Sequence, residues 1–320
     1  MKRTLRTYLS YIRHPWKIKS WFALRKLDKQ KGVLPVKDYI EKKFKIDLGY
    51  PLNLDNPKTF NEKLQWLKLY NQQPLFTELV DKHEVKKIVS EKIGKEHVAT
   101  EYGCWKSFDE INFDELPNSF VLKNNHGVGP IVICRDKKSF NSDEYKDSFN
   151  DALKKNYFNN CYEWPYKNIK PRIICEELLT NTGYKCLPVF KFFCFDGEPV
   201  IAQIILNDKQ KNETIDYIDM EYNFIKLNQG YPNNKKKNRM SKPANFDEMK
   251  QMAAELSKGF PFLRCDFYSC DGKTYFSEFT FFSDAGFARF FPKKWDLILG
   301  EKIVLPEKKI VEGLEGWSVF

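Results

Sequence analysis

The chain has 320 residues, of which 42% are hydrophobic and 16% aromatic, and its formal net charge at pH 7 is +10. A chain of this length can bury a large core, and we expect it to form two or three subdomains. The basic excess indicates anionic partners such as nucleotides, acidic polysaccharide or anionic lipid. Nucleic acid is the weakest candidate and we expect none to be bound, because no helix-turn-helix, zinc-finger or RNP-type signature is present.

Eight cysteines are scattered through the sequence, without a CxxC pair and without a Cys/His cluster of zinc-ligand spacing. Several lie in apolar, strand-like runs, so we expect buried, reduced thiols. Reduced thiols favour a cytoplasmic location. No apolar stretch approaches the roughly 20 residues that a membrane span needs, and no secretory signal is expected.

Residues 1–31 carry ten basic side chains against one acid, Asp28, with aromatic and aliphatic residues between them. Such a segment can lie on an anionic membrane surface, which would place the protein at the inner face of the cell membrane. The alternative is a helix that packs its apolar side on the body of the protein. We divide the chain into a basic amphipathic segment (1–50), a helical subdomain (51–115), a nucleotide-binding and catalytic region (116–305) and a C-terminal tail (306–320).

The part of the chain before residue 100 is predicted to be mainly helical. Thr59, with Glu62 three residues later, fits a capping box at the start of one helix. A second helix is predicted from about Leu75 to Ile93, ending at Gly94.

Short apolar runs replace the helical pattern from residue 118 onward, with a helix predicted over 143–160 and another over 247–258. Residues 207–243 are polar and predict a mobile loop. The predicted strands are Phe120–Leu122, Ile131–Cys134, Ile173–Leu179, Val189–Phe195 and Val200–Leu206.

Residues 264–280 are the most informative stretch, because they predict a β-hairpin that turns at Asp271-Gly272. Folding there brings Asp266 and Glu278 together across the ladder. Two carboxylates among aromatic residues repel each other and are costly to desolvate unless a cation lies between them. Mg²⁺, which prefers oxygen ligands and also binds nucleotide phosphates, is the natural candidate. The alternative is an ordinary hairpin with two solvated acids.

The turn from Lys123 to Gly129 joins two strands and contains two glycines and no acid. Such a turn can present backbone N–H groups to phosphate, with Lys123 adding a positive charge. It lacks Walker A spacing, so a Gly-containing hairpin remains the alternative. His126 could be a general acid or a phosphate contact, or a solvated or capping residue.

Two further features are candidates for a site. Glu176 and Glu177 follow an apolar run and could form either a solvated linker or a hinge whose backbone meets an adenine edge. Lys191 lies inside an apolar strand, so its ammonium must reach solvent or pair with an anion.

Taken in chain order, these motifs resemble the ATP-grasp fold. The similarity extends over residues 50–305 and is greatest to the TupA-like branch, which is associated with teichuronopeptide biosynthesis. The resemblance implies an α+β fold in which a helical N-terminal region precedes two α+β subdomains that sandwich the nucleotide. The segments that carry it are Asn56–Lys63, Asp81-Lys82, Phe120–Gly127, Ile169–Ile173 and Arg264–Phe281.

The resemblance also implies which residues bind ATP. Lys123 would contact a phosphate, and the loop that contains His126, Gly127 and Gly129 would close over the phosphates. The hinge around the adenine would be formed by Glu176, Glu177 and Leu179.

The metal and catalytic groups are implied in the same way. Asp266 and Glu278 would bridge Mg²⁺ to the phosphates. Thr280 takes the third metal position, where most ATP-grasp enzymes have Asn, so we expect a weaker or water-bridged ligand there. Arg264 would stabilise an acyl phosphate, with Lys123 and Lys191 as further catalytic groups.

The implied activity is ATP-dependent carboxylate–amine ligation through an acyl phosphate, with ATP and Mg²⁺ as cofactors. Its substrate would be a bacterial cell-surface or capsular polysaccharide precursor, such as a uronic acid that is joined to an amino acid. A glycosyltransferase that uses a nucleotide sugar is one alternative, although the chain has no Asp-x-Asp motif. A non-catalytic nucleotide-binding scaffold is another, suggested by residues 1–31, by Thr280 and by Val189, where this branch usually has Asp.

Overall fold

The computed structural model describes residues 15–311, with side chains from residue 20 onward. Residues 1–14 of the predicted membrane segment lie outside the described residues. Residues 312–320 of the C-terminal tail do so as well. The helices are α1 (Pro15–Asp28), α2 (Val36–Leu48), α3 (Phe60–Tyr70), α4 (Pro74–Val80), α5 (Val85–Ile93), α6 (Asp143–Leu153), α7 (Phe158–Cys161), α8 (Phe246–Leu256) and α9 (Lys294–Lys302).

The first sheet has four strands in the order β1-β4-β2-β3, with antiparallel neighbours. One face forms a small core with Phe149 of α6, while Lys123 lies on the other face, as the alternation of side chains along a strand requires. The strands are β1 (Glu101–Trp105), β2 (Phe120–Asn124), β3 (Ile131–Cys134) and β4 (Ile173–Glu176).

The second sheet has five antiparallel strands in the order β7-β6-β5-β8-β9. Phe192 packs against Phe246 of α8 and against Phe267 on one face, while Phe193 contacts Phe60 of α3 on the other. The strands are β5 (Val189–Phe195), β6 (Glu198–Leu206), β7 (Thr214–Ile218), β8 (Leu263–Cys270) and β9 (Lys273–Thr280). The predicted hairpin is confirmed, because Asp271-Gly272 links β8 to β9 and Asp266 is in register with Glu278.

The capping box at α3 is confirmed. Thr59 accepts a hydrogen bond from the Glu62 backbone, and the Glu62 carboxylate accepts one from the Thr59 backbone. These bonds satisfy N–H groups that the first turn of a helix leaves unpaired. They fix the start of α3 beside α9, where a Cβ on Gly300 would lie only 2.2 Å from the carbonyl oxygen of Lys58.

The single helix predicted from Leu75 to Ile93 is wrong, because the chain forms α4 and α5 with a break at Asp81. The buried Asp81 carboxylate accepts hydrogen bonds from the backbone N–H of His83 at 2.9 Å and from Asn125 at 2.8 Å. A side chain that binds backbone N–H groups two residues ahead competes with helical hydrogen bonding. The break directs Lys82 toward the gap between the two sheets.

Three other predicted elements also need correction. Residues 207–243 contain β7, in which Ile215 and Tyr217 are buried and Asp216 accepts hydrogen bonds from Asn234 at 3.0 and 2.9 Å. The predicted helix over 143–160 divides into α6 and the single turn α7, and β4 ends at Glu176 instead of Leu179. Strand β1 was not predicted, because its sequence has no apolar run.

The cysteines follow the prediction. All eight are free, and Cys134, Cys175 and Cys194 are buried. Within residues 15–311 no helix combines the length and the apolarity that spanning a membrane requires. The described part of the C-terminal tail packs along the end of α3, where the Lys309 N–H donates to the carbonyl oxygen of Tyr70 at 2.7 Å.

Candidate active site

A row of polar side chains crosses all five strands of the second sheet. The register places Tyr217 beside Gln203, Gln203 beside Lys191, Lys191 beside Asp266, and Asp266 beside Glu278. Residues in register on neighbouring strands share a face and lie close enough to interact. The face opposite α8 therefore presents a continuous polar line instead of an apolar surface.

Asp266 is the buried centre of this row, with 1% of its surface exposed. Arg264 donates to its two oxygens from Nε and from Nη2, both at 2.8 Å, and Lys191 Nζ lies 3.2 Å from Oδ2. The predicted need of Lys191 for an anion is thus met by Asp266. Arg264 also donates to Thr280 Oγ1 at 2.9 Å and to Ser283 Oγ at 3.2 Å, so its guanidinium is fixed on several sides.

Burial opposes the charge of Arg264, but Asp266 and Glu278 outweigh that cost, so the pKa of Arg264 is raised and the group stays protonated. Glu278 shows the complementary effect. Burial favours its neutral form, yet Lys82, Lys191 and Arg264 together lower the pKa of Glu278 to about 2. Both groups are therefore charged throughout the physiological range.

Glu278 is the more open of the two carboxylates, with 38% of its side chain exposed. Its nearest cations are Lys82 Nζ at 3.8 Å and Arg264 Nη2 at 4.0 Å, which are ion-pair distances without a hydrogen bond. Glu278 can accept a ligand without first losing a hydrogen-bonded partner.

A second charged cluster lies on the Lys123 face of the first sheet. Glu176 is buried, and its two oxygens lie 2.5 Å from Lys123 Nζ and 2.8 Å from Lys86 Nζ. Burial alone would raise the pKa of Glu176, but the two ammonium groups lower it. The solvated-linker interpretation of Glu176 is therefore wrong, because the side chain is enclosed and positions two lysines.

Glu177, Leu178 and Leu179 follow β4 as a half-buried, extended segment. The Glu177 N–H donates to the carbonyl oxygen of Thr100 at 2.9 Å, which continues the pairing of β4 beyond its last residue. The side chains of these residues do not join the Glu176 cluster.

The loop between β2 and β3 is fastened at its base by Asn125. The Asn125 amide donates to Asp81 at 2.8 Å and to the Lys170 carbonyl at 3.0 Å, and it accepts from the Arg172 N–H at 2.8 Å. Gly127 has a φ of +52°, and a Cβ there would lie 2.3 Å from the Tyr157 ring, so only glycine suits the position.

The His126 ring is held against Asn125 and α6. Its Nδ1 lies 3.1 Å from Asn125 Oδ1 and its Nε2 lies 3.3 Å from the carbonyl oxygen of Ala152 in α6. Burial lowers the pKa of His126, so the ring is neutral at pH 7. Of the residues predicted for this loop, the structure brings Lys123 and Gly127 to the gap between the sheets but not the His126 ring.

A family model described as TupA-like ATPgrasp matches residues 62–304. The chain belongs to this family. The two antiparallel sheets and the N-terminal helices form the α+β ATP-grasp fold that the sequence predicted. No curated protein gives a significant sequence match to this TupA-like ATP-grasp chain.

Several solved structures are similar to the TupA-like ATP-grasp chain. D-alanine–D-alanine ligase from Bacillus anthracis aligns at 16% identity and a TM-score of 0.38, over 77% of this chain and 69% of that one. D-cycloserine synthetase DcsG aligns at 10% identity and a TM-score of 0.39, over 72% of this chain and 70% of DcsG. The ATP-grasp ligase PsnB, solved with a minimal precursor, aligns at 14% identity and a TM-score of 0.36 over 69% of this chain. The alignment spans 59% of the length of PsnB.

Lys82 is a residue of the TupA-like site to which sequence reasoning gave no role. Its Nζ donates to the carbonyl oxygen of Gly127 at 3.1 Å and lies 3.8 Å from Glu278, so it connects the loop of the first sheet to the second sheet. Burial lowers the pKa of Lys82, an effect that Glu278 partly offsets. Lys82, in the turn before α5, and Lys86, four residues later in its first turn, form a sequence signal that could have identified this basic face.

The predicted metal ligands of the TupA-like chain have the right chemistry for Mg²⁺, since they are two carboxylates and a hydroxyl without nitrogen or sulfur. Their present partners differ, however. Both oxygens of Asp266 and the hydroxyl oxygen of Thr280 accept hydrogen bonds from Arg264, whereas Glu278 accepts none from any residue that the structure describes. The set fits a metal with Glu278 as the open ligand, and Asp266 would bind only by releasing one hydrogen bond from Arg264.

The turn after β9 has an unusual backbone. Asp284, Ala285 and Gly286 all have left-handed φ values, of 48°, 52° and 69°, and the first two carry side chains that disfavour this region. Gln65 and the fully buried Lys68 of α3 hold it, with Lys68 Nζ donating to the Ala285 carbonyl at 2.7 Å. Strain of this kind persists only where surrounding contacts enforce it. Ser283, at its start, contacts Arg264, so the turn forms one wall beside the polar row.

Proposed function

We propose that this chain is an ATP-dependent carboxylate–amine ligase that modifies an acidic precursor of a cell-surface or capsular polysaccharide. The observation that carries the proposal is the set of cations around Glu278, which includes Lys82 from the turn before α5, Lys123 from β2, Lys191 from β5 and Arg264 from β8. Such a cluster matches the charge of a nucleotide polyphosphate. Membership of the ATP-grasp family supports ATP as the nucleotide whose phosphates bind there.

The proposed reaction has two steps. A carboxylate oxygen of the acceptor bonds to the γ-phosphorus of ATP while the bond to the β–γ bridging oxygen breaks and ADP leaves. The amine nitrogen then bonds to the acyl carbon, inorganic phosphate leaves, and the nitrogen loses a proton. Neither step needs a covalent bond to the protein, so positioning and charge neutralisation carry the catalysis.

The residues divide these tasks. Lys123, held by Glu176, would contact the nucleotide phosphates from the first sheet, and Lys82 would do so from the turn before α5. Arg264, whose guanidinium is fixed by Asp266, would stabilise charge on the acyl phosphate. Glu278 and Asp266, with Thr280 as a weaker ligand, would hold Mg²⁺, which supplies neutralisation of the phosphate charge when bound.

We assign the adenine contact to the segment of Glu177 and Leu179, because it is half-buried and extended beside the Lys123 face. Glu176 is assigned a positioning role, since both of its oxygens are occupied by lysines. In the loop after β2, Gly127 and Gly129 would allow the backbone to approach the phosphates, while His126 would anchor the loop to α6.

The acceptor is proposed to be acidic because the net charge of the protein is +10.

The N-terminal helix α1 is proposed to contact an anionic membrane. Leu27 packs α1 on the body of the protein, while Phe22 is 62% exposed among the exposed basic residues Arg25 and Lys26. Sedimentation with vesicles containing phosphatidylserine tests the membrane contact. Replacing Phe22 with Ser should reduce the bound fraction, and vesicles of phosphatidylcholine alone should bind neither form.

The decisive experiment for the ligase is ADP release from ATP in the presence of uronic-acid sugars and amino acids. We expect one acceptor pair to stimulate ADP release, with one product amide formed for each ADP. Glu278→Gln should abolish the stimulation, while Glu198→Gln, an exposed acid on the same sheet, should retain it. Absence of ATP turnover together with hydrolysis of a nucleotide sugar would instead identify a glycosyltransferase.

A further inference from the structure

A cavity of about 540 Å³ lies between the loop that joins β2 to β3 and the segment that follows α6. Within a strand, consecutive side chains point to opposite faces, so Asn124 lies on the α6 face of the first sheet, while Lys123 lies on the face of the charged cluster. The cavity is therefore separate from the site around Glu278. Its lining includes Asn124, His126, Gly129, Lys154, Lys155, Asn156, Tyr157, Asn159 and Asn160.

The buried side chain of Asn124, which lines this cavity, has an amide group without a hydrogen-bond partner among the described residues. The residue is 3% exposed, and neither its amide nitrogen nor its amide oxygen has a hydrogen-bond partner within the described residues. Leaving a buried donor and acceptor unpaired is costly, and most proteins avoid it. Because Asn124 lines the cavity, a polar ligand bound there would supply the missing partners.

The other lining residues indicate the charge of that ligand. Lys154 and Lys155 are exposed at the cavity, and the lining residues that the structure describes include no acid. Lys154 is paired with Asp151 at 3.3 Å, whereas Lys155 makes no ion pair to another described residue. The lining thus combines a positive charge with the amide groups of Asn124, Asn159 and Asn160, while the Asn156 amide is bonded to Lys167 and Phe158.

We propose that this cavity binds a small anionic sugar, either a hexose phosphate or a uronic acid. Amide side chains can each donate to one hydroxyl and accept from the next, and lysine binds phosphate or carboxylate. A cavity of this size lies within the range of small-molecule sites. This site goes beyond the proposed ligase function, because Asn124 and α6 lie on the other face of the first sheet from Lys123 and Glu176, although both sites border the loop after β2.

The experiment is calorimetric titration of the full chain with glucose 6-phosphate, glucuronic acid, glucose and inorganic phosphate. We expect saturable binding of one of the two anionic sugars, with glucose and phosphate each at least tenfold weaker. Which of the two sugars binds more tightly distinguishes the phosphate from the carboxylate source. If neither anionic sugar binds, the proposal is overturned.

Three variants locate the binding. The double substitution Lys154→Gln and Lys155→Gln should weaken binding at least tenfold, whereas Lys138→Gln, an exposed lysine of the same region outside the cavity, should leave it unchanged. Asn124→Leu should lose binding and raise the melting temperature of the ligand-free protein, because it removes the unpaired amide. Binding that survives the lysine substitutions but is lost in Arg264→Met would place the sugar at the ligase site and would overturn the proposal. ADP release measured on the same preparations keeps this result separate from the test of the ligase.

Discussion

Arg264 and Asp266, two residues apart in β8, form a bidentate ion pair with both donor–acceptor distances at 2.8 Å. Lys191 approaches the same carboxylate from β5, so one buried acid serves two cations. Asp266 and Glu278 are both predicted metal ligands. Asp266 also holds two cations in place within the sheet, whereas Glu278 makes only longer ion pairs. This difference separates the consequences of two substitutions that would otherwise look equivalent.

We expect both Asp266→Asn and Glu278→Gln to reduce ATP turnover, and Asp266→Asn to reduce stability more, because the ion pairs of Glu278 are longer and partly exposed to solvent. Removing one partner from a buried ion pair costs about 3–5 kcal/mol, because the remaining charges stay buried and unpaired. Glu278 is partly exposed and makes no hydrogen bond to either of its cations. Urea unfolding of both variants measures the difference, and equal unfolding midpoints would show that Asp266 has no structural role.

Lys82→Met should lower ATP turnover by about 10²-fold, the usual effect of removing one preorganised donor from a catalytic site. Lys82 is the side chain that reaches both Gly127 and Glu278. Steady-state kinetics at varied ATP concentration is the measurement. Lys87→Met provides the control, because Lys87 is an exposed lysine of α5 with no contact to the site. Similar losses in the two variants would indicate a general effect of charge.

The stability of the protein should decrease as the pH falls below about 6.5, and His126 should account for part of the decrease. Burial lowers the pKa of His126 in the folded state, whereas the unfolded chain has the ordinary histidine value of about 6.5. The unfolded state then binds more protons below pH 6.5, which reduces the free energy of unfolding.

Unfolding midpoints between pH 5 and 8 for the wild type and for His126→Gln test this expectation. The difference between the two proteins should change with pH below about 6.5 and be constant above it. A difference that does not vary across this range would mean that the folded His126 titrates normally.

Ala285→Gly should stabilise the fold by about 0.5–1 kcal/mol. A left-handed conformation costs a non-glycine residue roughly 1–2 kcal/mol, and glycine returns part of the gain through its greater entropy in the unfolded chain, about 0.5–1 kcal/mol. Ala254→Gly, within α8, should have the opposite sign. If the turn positions the acceptor, the KM for the acceptor should rise in Ala285→Gly while the KM for ATP stays unchanged.

Much of the fold follows from local patterns in the sequence. The Asp-Gly turn between aromatic runs predicts the β8–β9 hairpin, and Thr59 with Glu62 predicts the start of α3, because both depend on contacts within a few residues. The apolar pattern from Leu75 to Ile93 predicts one helix, but Asp81 bonds to Asn125, which lies 44 positions later in the sequence, and that contact divides it. A local pattern cannot contain such information.

The candidate site was predictable to a similar degree. Asp266, Glu278, Lys123 and Arg264 stand out in the sequence because of the family resemblance, and the structure places them in two facing clusters. The pairing of Glu176 with Lys86 and Lys123, and the reach of Lys82 to Gly127, depend on how α5 packs against the first sheet. These contacts follow from tertiary structure, and the four-residue spacing of Lys82 and Lys86 could indicate only that the two lysines share a basic face.

The shared ion pairs in β8 also constrain how this protein can diverge. Exchanging Arg264 for a neutral residue leaves Asp266 with Lys191 alone, and exchanging Asp266 leaves Arg264 and Lys191 with only the more distant Glu278. A lineage that loses one of these residues is therefore expected to replace the other soon afterwards. Substitutions at positions 264 and 266 should be correlated among relatives, while those at position 278 follow the requirements of the reaction.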